Sequence, residues 1–99
     1  MPIYLLNWDQ GFFEWKTIQS DITETINNGH YTKRWTVIDK DKFQVLDRIF
    51  IVRTGFYPVG ITASGWIARI IPDKIIQKIG ISFDTILDPD EDDIFLRSN

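Results

Sequence analysis

Residues 45–67, with the sequence VLDRIFIVRTGFYPVGITASGWI, constrain the fold of this chain more than any other stretch. Two runs rich in β-branched and aromatic residues, 48–53 and 59–67, flank a Gly-Phe-Tyr-Pro connection. Glycine and proline at such a short connection indicate a tight reversal of the chain. The stretch therefore predicts a β-hairpin.

The first strand of this hairpin is apolar on both faces. Successive side chains of a strand point to opposite sides, so Ile49 and Ile51 face one way while Phe50 and Val52 face the other. A strand of this kind has to be covered on both sides. It is expected inside a curled or sandwiched sheet.

The returning strand has two unlike faces. One face is apolar, and the other combines small or polar residues with a single large aromatic: Gly60, Thr62, Ser64, Trp66 and Ala68. Small side chains let a ligand approach the backbone closely. We expect a flat ligand on this face, with Trp35 closing over it from the preceding loop.

The composition is that of a single soluble domain. The chain has 99 residues, 43% of them apolar, with no cysteine and no window resembling a membrane span. These features predict one domain over residues 1–99, in the cytoplasm and without a membrane partner. The net charge of −3 argues against nonspecific coating of nucleic acid, yet residues 33–53 carry six basic and three acidic side chains. This local excess of positive charge suits one anionic ligand, although scattered surface lysines explain it equally well.

The rest of the chain predicts about four further elements. Residues 3–8 read as a first strand, residues 17–28 as a helix closed by Gly29, and residues 79–87 as a last strand. Residues 30–42 lack a sustained period and are expected to form a loop with a short strand at 35–38. About five strands and one good helix predict a small mixed domain built on a curled sheet.

The predicted helix has one apolar stripe. Ile18, Ile22 and Ile26 recur at intervals of four residues, which places them on one side of a helix. Asp21 and Glu24 fall between them and are expected to face water.

Five short motifs in order resemble those of a known family. They are N-W at 7–8, R-W-T at 34–36, L-D-R-I-F-I-V-R-T-G, P-V-G-I-T-A-S-G, and I-S-F-D-T-I-L-D-P. Together they span nearly the whole chain and resemble the EVE-like branch of the PUA-like superfamily, in particular the N-terminal reader domains of modification-dependent HNH restriction endonucleases. Leu46 stands where that family usually has glycine, and no nuclease motif follows.

The resemblance implies both a fold and a role. The fold is α+β, a PUA-like (EVE/YTH-type) small curled β-barrel of about five to six strands flanked by one or two helices. The role is that of a reader module of a longer protein, binding DNA that carries a methylated or hydroxymethylated base. The base is flipped into an aromatic pocket, and a nuclease domain in the same chain or in a partner supplies the effector.

The candidate site residues follow from the resemblance and from position in the chain. Trp35-Thr36 looks like the counterpart of the W-S-T motif that forms one cage wall in YTH readers. The predicted base-binding pocket consists of Trp35, Thr36, Trp66, Trp8, Ser64 and Thr62, and the predicted phosphate contacts are Lys33, Arg34 and Arg53. The competing interpretation is a lid over the core for Trp35, structural packing for Trp8 and exterior packing under the helix for Trp66. For Arg53 it is a structural ion pair.

The sequence offers little for catalysis. It has no cysteine nucleophile, no glycine-rich phosphate loop and only one histidine, His30. We therefore expect a binding module without catalytic residues, metal or cofactor. Two alternatives stay open: a reader of RNA or of modified nucleotides, and a protein-interaction domain that uses the Phe56-Tyr57-Pro58 tip.

Overall fold

The computed structural model describes residues 2–9, 14–55 and 59–89. Within these residues five strands and one α-helix follow one another, with one turn of 3₁₀ helix between the second and third strands. Their bounds are β1 (Ile3–Asp9), α1 (Ile18–Asn28), β2 (Tyr31–Thr36), a 3₁₀ turn (Lys40–Lys42), β3 (Arg48–Thr54), β4 (Gly60–Ile70) and β5 (Lys78–Ile86). The Phe56-Tyr57-Pro58 tip lies outside the described residues.

The strands form one mixed sheet in the order β1-β3-β4-β5-β2. β1 pairs with β3 in parallel, and the other neighbours are antiparallel. The predicted hairpin is confirmed, because β3 and β4 pair from Arg48 opposite Trp66 to Arg53 opposite Gly60. The α+β class is confirmed as well. β1 and β2 are the two edges and do not pair with each other within the described ranges, so this sheet is not closed into a barrel.

The core lies between α1 and one face of the sheet. Ile18 and Ile22 of α1 pack against this core, because helix residues four apart share a side. Its buried members are Trp8, Trp15, Trp35, Phe43, Ile49, Ile51, Ala63, Ile67, Ile79, Ile81, Phe83 and Ile86. No helix in these parts of the chain has the length and hydrophobicity needed to cross a membrane.

The opposite face of the sheet, called here the outer face, is more exposed. Ile3 and Leu5 of β1 are 65% and 62% exposed, and Trp66 of β4 is 41% exposed. The alternation of side chains along each strand puts these residues on one side and Tyr4 on the core side. The prediction that β3 is an interior strand is confirmed, but Phe50 on its outer side is only half-buried.

The prediction of a loop over residues 30–42 was wrong in its first half. Residues 31–36 form β2, which pairs with β5 from Tyr31 opposite Phe83 to Thr36 opposite Lys78. Every second residue of β2 faces the core: Tyr31, Lys33 and Trp35. Because the middle one is a lysine, the sequence does not show the alternation of apolar and polar residues that is typical of a strand. A lysine can bury its aliphatic stem while its ammonium reaches a polar partner.

The helix begins and ends close to its predicted bounds, but two of its side chains have the opposite exposure from the one predicted. Gly29 ends α1 at φ 81°, the left-handed conformation that favours glycine after a helix. Asp21, expected in water, is 3% exposed, whereas Ile26, expected in the core, is 75% exposed. Polar partners around Asp21 account for the first difference, and they are described below.

A bulge interrupts the predicted alternation of β4. The register between β3 and β4 shifts between Ile51 and Val52, so that Thr62 has no partner residue on β3. Thr62 is fully buried, and its hydroxyl donates a 2.7 Å hydrogen bond to the carbonyl of Leu87. An extra residue in one strand turns the following side chains to new directions. The simple two-face description of residues 60–68 is therefore wrong at Thr62.

Candidate functional site

A pocket lies between the two edges of the sheet, where the end of β1 comes near β2. It encloses about 430 Å³, within the roughly 300–1,000 Å³ usual for ligand pockets. It is lined by Asn7, Trp8, Asp9, Lys33, Arg34, Trp35, Thr36 and Lys78. Because β1 and β2 are at opposite ends of the strand order, the sheet has to curl strongly to bring them to one pocket.

Three tryptophans form the aromatic wall behind this pocket. The ring of Trp15 packs edge-to-face against Trp8 at 5.4 Å and against Trp35 at 5.3 Å, measured between ring centroids. Phe83 of β5 lies beneath, 5.6 Å from Trp15 and 6.2 Å from Trp35. Trp8 and Trp35 are only 3% and 6% exposed. Both tryptophans are therefore core residues that also line the pocket.

A buried carboxylate fixes the central tryptophan. Asp21 on α1 accepts a 2.7 Å hydrogen bond from Nε1 of Trp15 and one of 2.9 Å from the hydroxyl of Thr17. The ammonium of Lys33 lies 3.6 Å from the same carboxylate oxygen. Burial raises the pKa of the Tyr31 hydroxyl, and the charge of Asp21 and a hydrogen bond to it raise that pKa further. Asp21 thus links α1, β2 and the aromatic wall.

The rim of the pocket is mainly basic. Arg34 is exposed, and Lys33 and Lys78 are half-buried, against a single acid, Asp9. The predicted phosphate contacts Lys33 and Arg34 therefore lie at one site, together with a third cation, Lys78, that the sequence did not point to.

Polar groups that could bind the edge of a ligand line the same cavity. Asn7 can donate and accept hydrogen bonds, Asp9 can accept them, and Thr36 can do both. Of the predicted base-binding residues, Trp8, Trp35 and Thr36 are brought together here. Lys78 joins them because it pairs with Thr36 across β2 and β5, a long-range pairing with no local sequence signal.

Trp66 and Ser64 lie elsewhere. Trp66 sits on the outer face, with the guanidinium of Arg48 4.2 Å from its ring centroid. Arg48 also pairs with Asp84 at 3.0 Å, and the hydroxyl of Ser64 donates a 2.5 Å hydrogen bond to that carboxylate. Trp35 faces the core side of the sheet, so the structure places Trp35 and Trp66 on opposite faces. The expectation that Trp35 closes over a ligand lying on Trp66 was wrong.

The two remaining candidates are buried. Thr62 is bonded to Leu87 at the bulge, as described above. Arg53 is 3% exposed, and its guanidinium lies 5.7 Å from the ring centroid of Trp8. Neither lines the pocket, and Arg53 instead packs behind one of its walls.

Comparison with known proteins yields no family model, curated protein or solved structure that matches this chain. In residues 2–9, 14–55 and 59–89 no group of three or more histidine and carboxylate side chains is arranged to hold a metal ion.

Proposed function

We propose that this chain is a PUA-like reader that binds a modified base of DNA, flipped into the pocket between β1 and β2. The observation that carries this proposal is the convergence at one cavity of two tryptophans, three polar groups and the cations Arg34 and Lys78, beside Lys33, whose ammonium lies 3.6 Å from Asp21. The resemblance of the sequence motifs to EVE-like readers supports the same role. In this proposal the chain only binds, and an effector elsewhere acts on the DNA.

The chemistry of the cavity fits each part of a flipped nucleotide. In this proposal the aromatic wall contacts the base, Asn7, Asp9 and Thr36 bind its polar edge, and Arg34 and Lys78 supply the positive charge for the flanking phosphates. Aspartate accepts from the exocyclic amino group of cytosine, and asparagine can pair with adenine. The lining thus suits a base that carries an amino group.

The free-energy terms of the proposed binding are similar in size and opposite in sign. Stacking of a base on an open aromatic face contributes roughly 1–3 kcal/mol, but Trp8 and Trp35 are only 3% and 6% exposed and offer a small part of that contact. Hydrogen bonds to the base edge therefore have to offset much of the few kcal/mol that flipping costs. Charged contacts to phosphate add affinity that falls with rising salt. A modest net affinity for a modified site is the expected result.

The test is binding to matched oligonucleotides. Duplexes of one sequence, carrying 5-methylcytosine, 5-hydroxymethylcytosine, N6-methyladenine or no modification, are titrated against the full chain, with matched RNA as a further arm. We expect at least one modified duplex to bind more tightly than the unmodified one. Equal affinity for every duplex would overturn the proposal. Tighter binding of the matched RNA would identify RNA, and not DNA, as the ligand.

Two surface variants locate the site without disturbing the core. Arg34→Glu reverses an exposed charge at the rim, and Thr36→Arg places a long side chain in the cavity. Lys16→Glu is the matched control, because Lys16 is exposed and does not line the pocket. Both site variants should abolish the preference for the modified duplex, whereas the control should keep it. Trp35→Ala is a poor choice, since emptying a core position costs about 3–5 kcal/mol of stability.

A protein-interaction role is the second candidate, and the outer face favours it. Ile3, Leu5 and Trp66 expose apolar area there, away from the pocket. Concentration-dependent association of the chain, lost on Trp66→Ser while base recognition stays intact, would assign this face to protein binding.

A further inference from the structure

Two isoleucines beside the pocket are almost completely exposed. Ile38 is 99% exposed and Ile75 is 89% exposed, more than any other large apolar side chain in the described parts of the chain. We call this pair the isoleucine tip. Single exposed apolar residues are common, but these two belong to segments joined by a backbone hydrogen bond, and each segment also carries a residue that lines the pocket.

The isoleucine tip adjoins the pocket lining. Ile38 follows Thr36 by two residues, and Ile75 precedes Lys78 by three. The two segments are joined, because the amide of Val37 donates a 3.0 Å hydrogen bond to the carbonyl of Gln77. Both isoleucines therefore lie just beyond the paired ends of β2 and β5, where two of the lining residues sit.

The backbone beneath the tip is held by a buried lysine. The ammonium of Lys40, 7% exposed as a residue, donates hydrogen bonds to the carbonyls of Ile71 at 2.6 Å, Ile76 at 3.0 Å, and Asp73. The amide of Lys40 donates to Oε1 of Gln77 at 2.9 Å. These bonds tie the segment 71–77 to the segment after β2.

A second set of bonds shapes the tip itself. One carboxylate oxygen of Asp73 accepts hydrogen bonds from the amides of Ile75 at 2.8 Å and Ile76 at 3.3 Å. These amides lower the pKa of Asp73, and the charge of Lys40 contributes as well. Ile75 is thus presented to solvent by a turn that its own hydrogen bonds define, not by an unstructured loop.

We infer that the isoleucine tip is a wedge that enters the base stack of a duplex and fills the space left by the flipped base. This inference rests on the proposed function and specifies its ligand as double-stranded. Apolar side chains are the groups that proteins insert between base steps. A stack with a missing base offers an apolar gap next to the pocket that holds that base. Filling it takes isoleucine surface out of water and slows the return of the base.

The test compares duplex and single-stranded forms of the preferred modified oligonucleotide. The double variant Ile38→Ser/Ile75→Ser should bind the duplex at least about tenfold more weakly, because burial of one aliphatic side chain alone contributes that much. Binding of the single strand should stay within about twofold, since a single strand has no stack to fill. Ile26→Ser is the matched control, an isoleucine 75% exposed on α1, and should leave both affinities unchanged.

The outcomes separate this inference from the proposed function. If the double variant binds the duplex as well as the wild type does, or loses duplex and single-strand binding equally, the wedge is wrong while base recognition stands. If the wild type shows no preference for any modified base in either form, the proposed function fails first and the wedge fails with it. Because both side chains lie in solvent, an unchanged thermal midpoint will show that the variant is folded.

Discussion

Nε1 of Trp15 donates a 2.7 Å hydrogen bond to the carboxylate of Asp21, which is itself 3% exposed. Trp15 stands between Trp8 and Trp35, so this bond fixes the ring against which both pocket-wall tryptophans pack. The order of the wall depends on a helix residue that lies outside the cavity.

Asp21→Ala should lower the free energy of unfolding by about 3 kcal/mol, because it leaves the Trp15 indole and the Lys33 ammonium without their acceptor. Asp21→Asn should cost about half as much, since an amide oxygen still accepts from the indole. Urea denaturation measures both. Glu24→Ala on the exposed side of α1 is the control and should stay within about 0.5 kcal/mol of the wild type. Equal effects for Asp21→Ala and Glu24→Ala would contradict this role.

Stability should fall at alkaline pH through Tyr31. The pKa of its hydroxyl is raised in the folded chain, chiefly by burial and then by Asp21. Folding therefore favours the neutral hydroxyl. The contribution of Tyr31 to the free energy of unfolding is complete below the ordinary tyrosine pKa of about 10 and is lost as the pH rises above it. Tyr31→Phe should remove this part of the decline. Denaturation of both proteins from pH 8 to 11 measures the difference, and parallel curves would exclude the effect.

Lys40→Met should loosen the segment that carries the isoleucine tip. The substitution keeps most of the side-chain length but removes the donors to three backbone carbonyls, and we expect a loss of about 2–3 kcal/mol. Hydrogen exchange should rise first at the amides of residues 71–77. Lys74→Met, at an exposed position in the same segment, is the control. Unchanged exchange in the Lys40 variant would show that the ammonium does not hold this segment.

Leu46→Gly should stabilise the chain. Leu46 has φ 77°, which is the only positive φ among the described non-glycine residues, and its side chain is 60% exposed. The left-handed conformation costs a non-glycine residue about 1–2 kcal/mol. Glycine avoids this cost but loses about 0.5–1 kcal/mol more conformational entropy when the chain folds. A net gain of about 0.5 kcal/mol is expected from these two values. Thermal denaturation checks it, with Val45→Gly as a neighbouring control that should destabilise.

Trp66→Ala should leave the preference for a modified duplex unchanged, because Trp66 faces away from the pocket. Its loss removes the contact with Arg48 and should cost roughly 0.5–2 kcal/mol of stability. Titration with modified and unmodified duplexes, beside Arg34→Glu, measures the contrast. A loss of discrimination in the Trp66 variant would move the ligand to the outer face.

The sequence predicted the fold where the pattern was local. The alternation and turn residues of 45–67 located β3 and β4, and Gly29 located the end of α1. The first part of β2, residues 31–34, was assigned to a loop because Lys33, a core-facing position, reads as polar until its partner Asp21 is known. Asp21 was assigned to the wrong side because its partners Trp15 and Lys33 lie outside α1.

The site was predicted in part. Lys33, Arg34, Trp35 and Thr36 are consecutive, and a motif could point to them. Lys78 reaches them only through the pairing of β5 with β2. The separation of Trp35 from Trp66 likewise follows from long-range pairing. Trp66 lies opposite Ser82, Ser82 lies opposite Thr32, and Thr32 and Trp35 point to opposite faces because they are three residues apart in β2.

The pocket lies between β1 and β2, the two outermost strands of the sheet in the described part of the chain. A cavity inside a packed core widens only when side chains become smaller. Here the width depends on how far the backbone of β1 stands from that of β2, so a change in the curvature of the sheet alters it while the core side chains stay the same. Related chains could therefore admit larger or smaller ligands through substitutions far from the pocket, at positions that bend the strands.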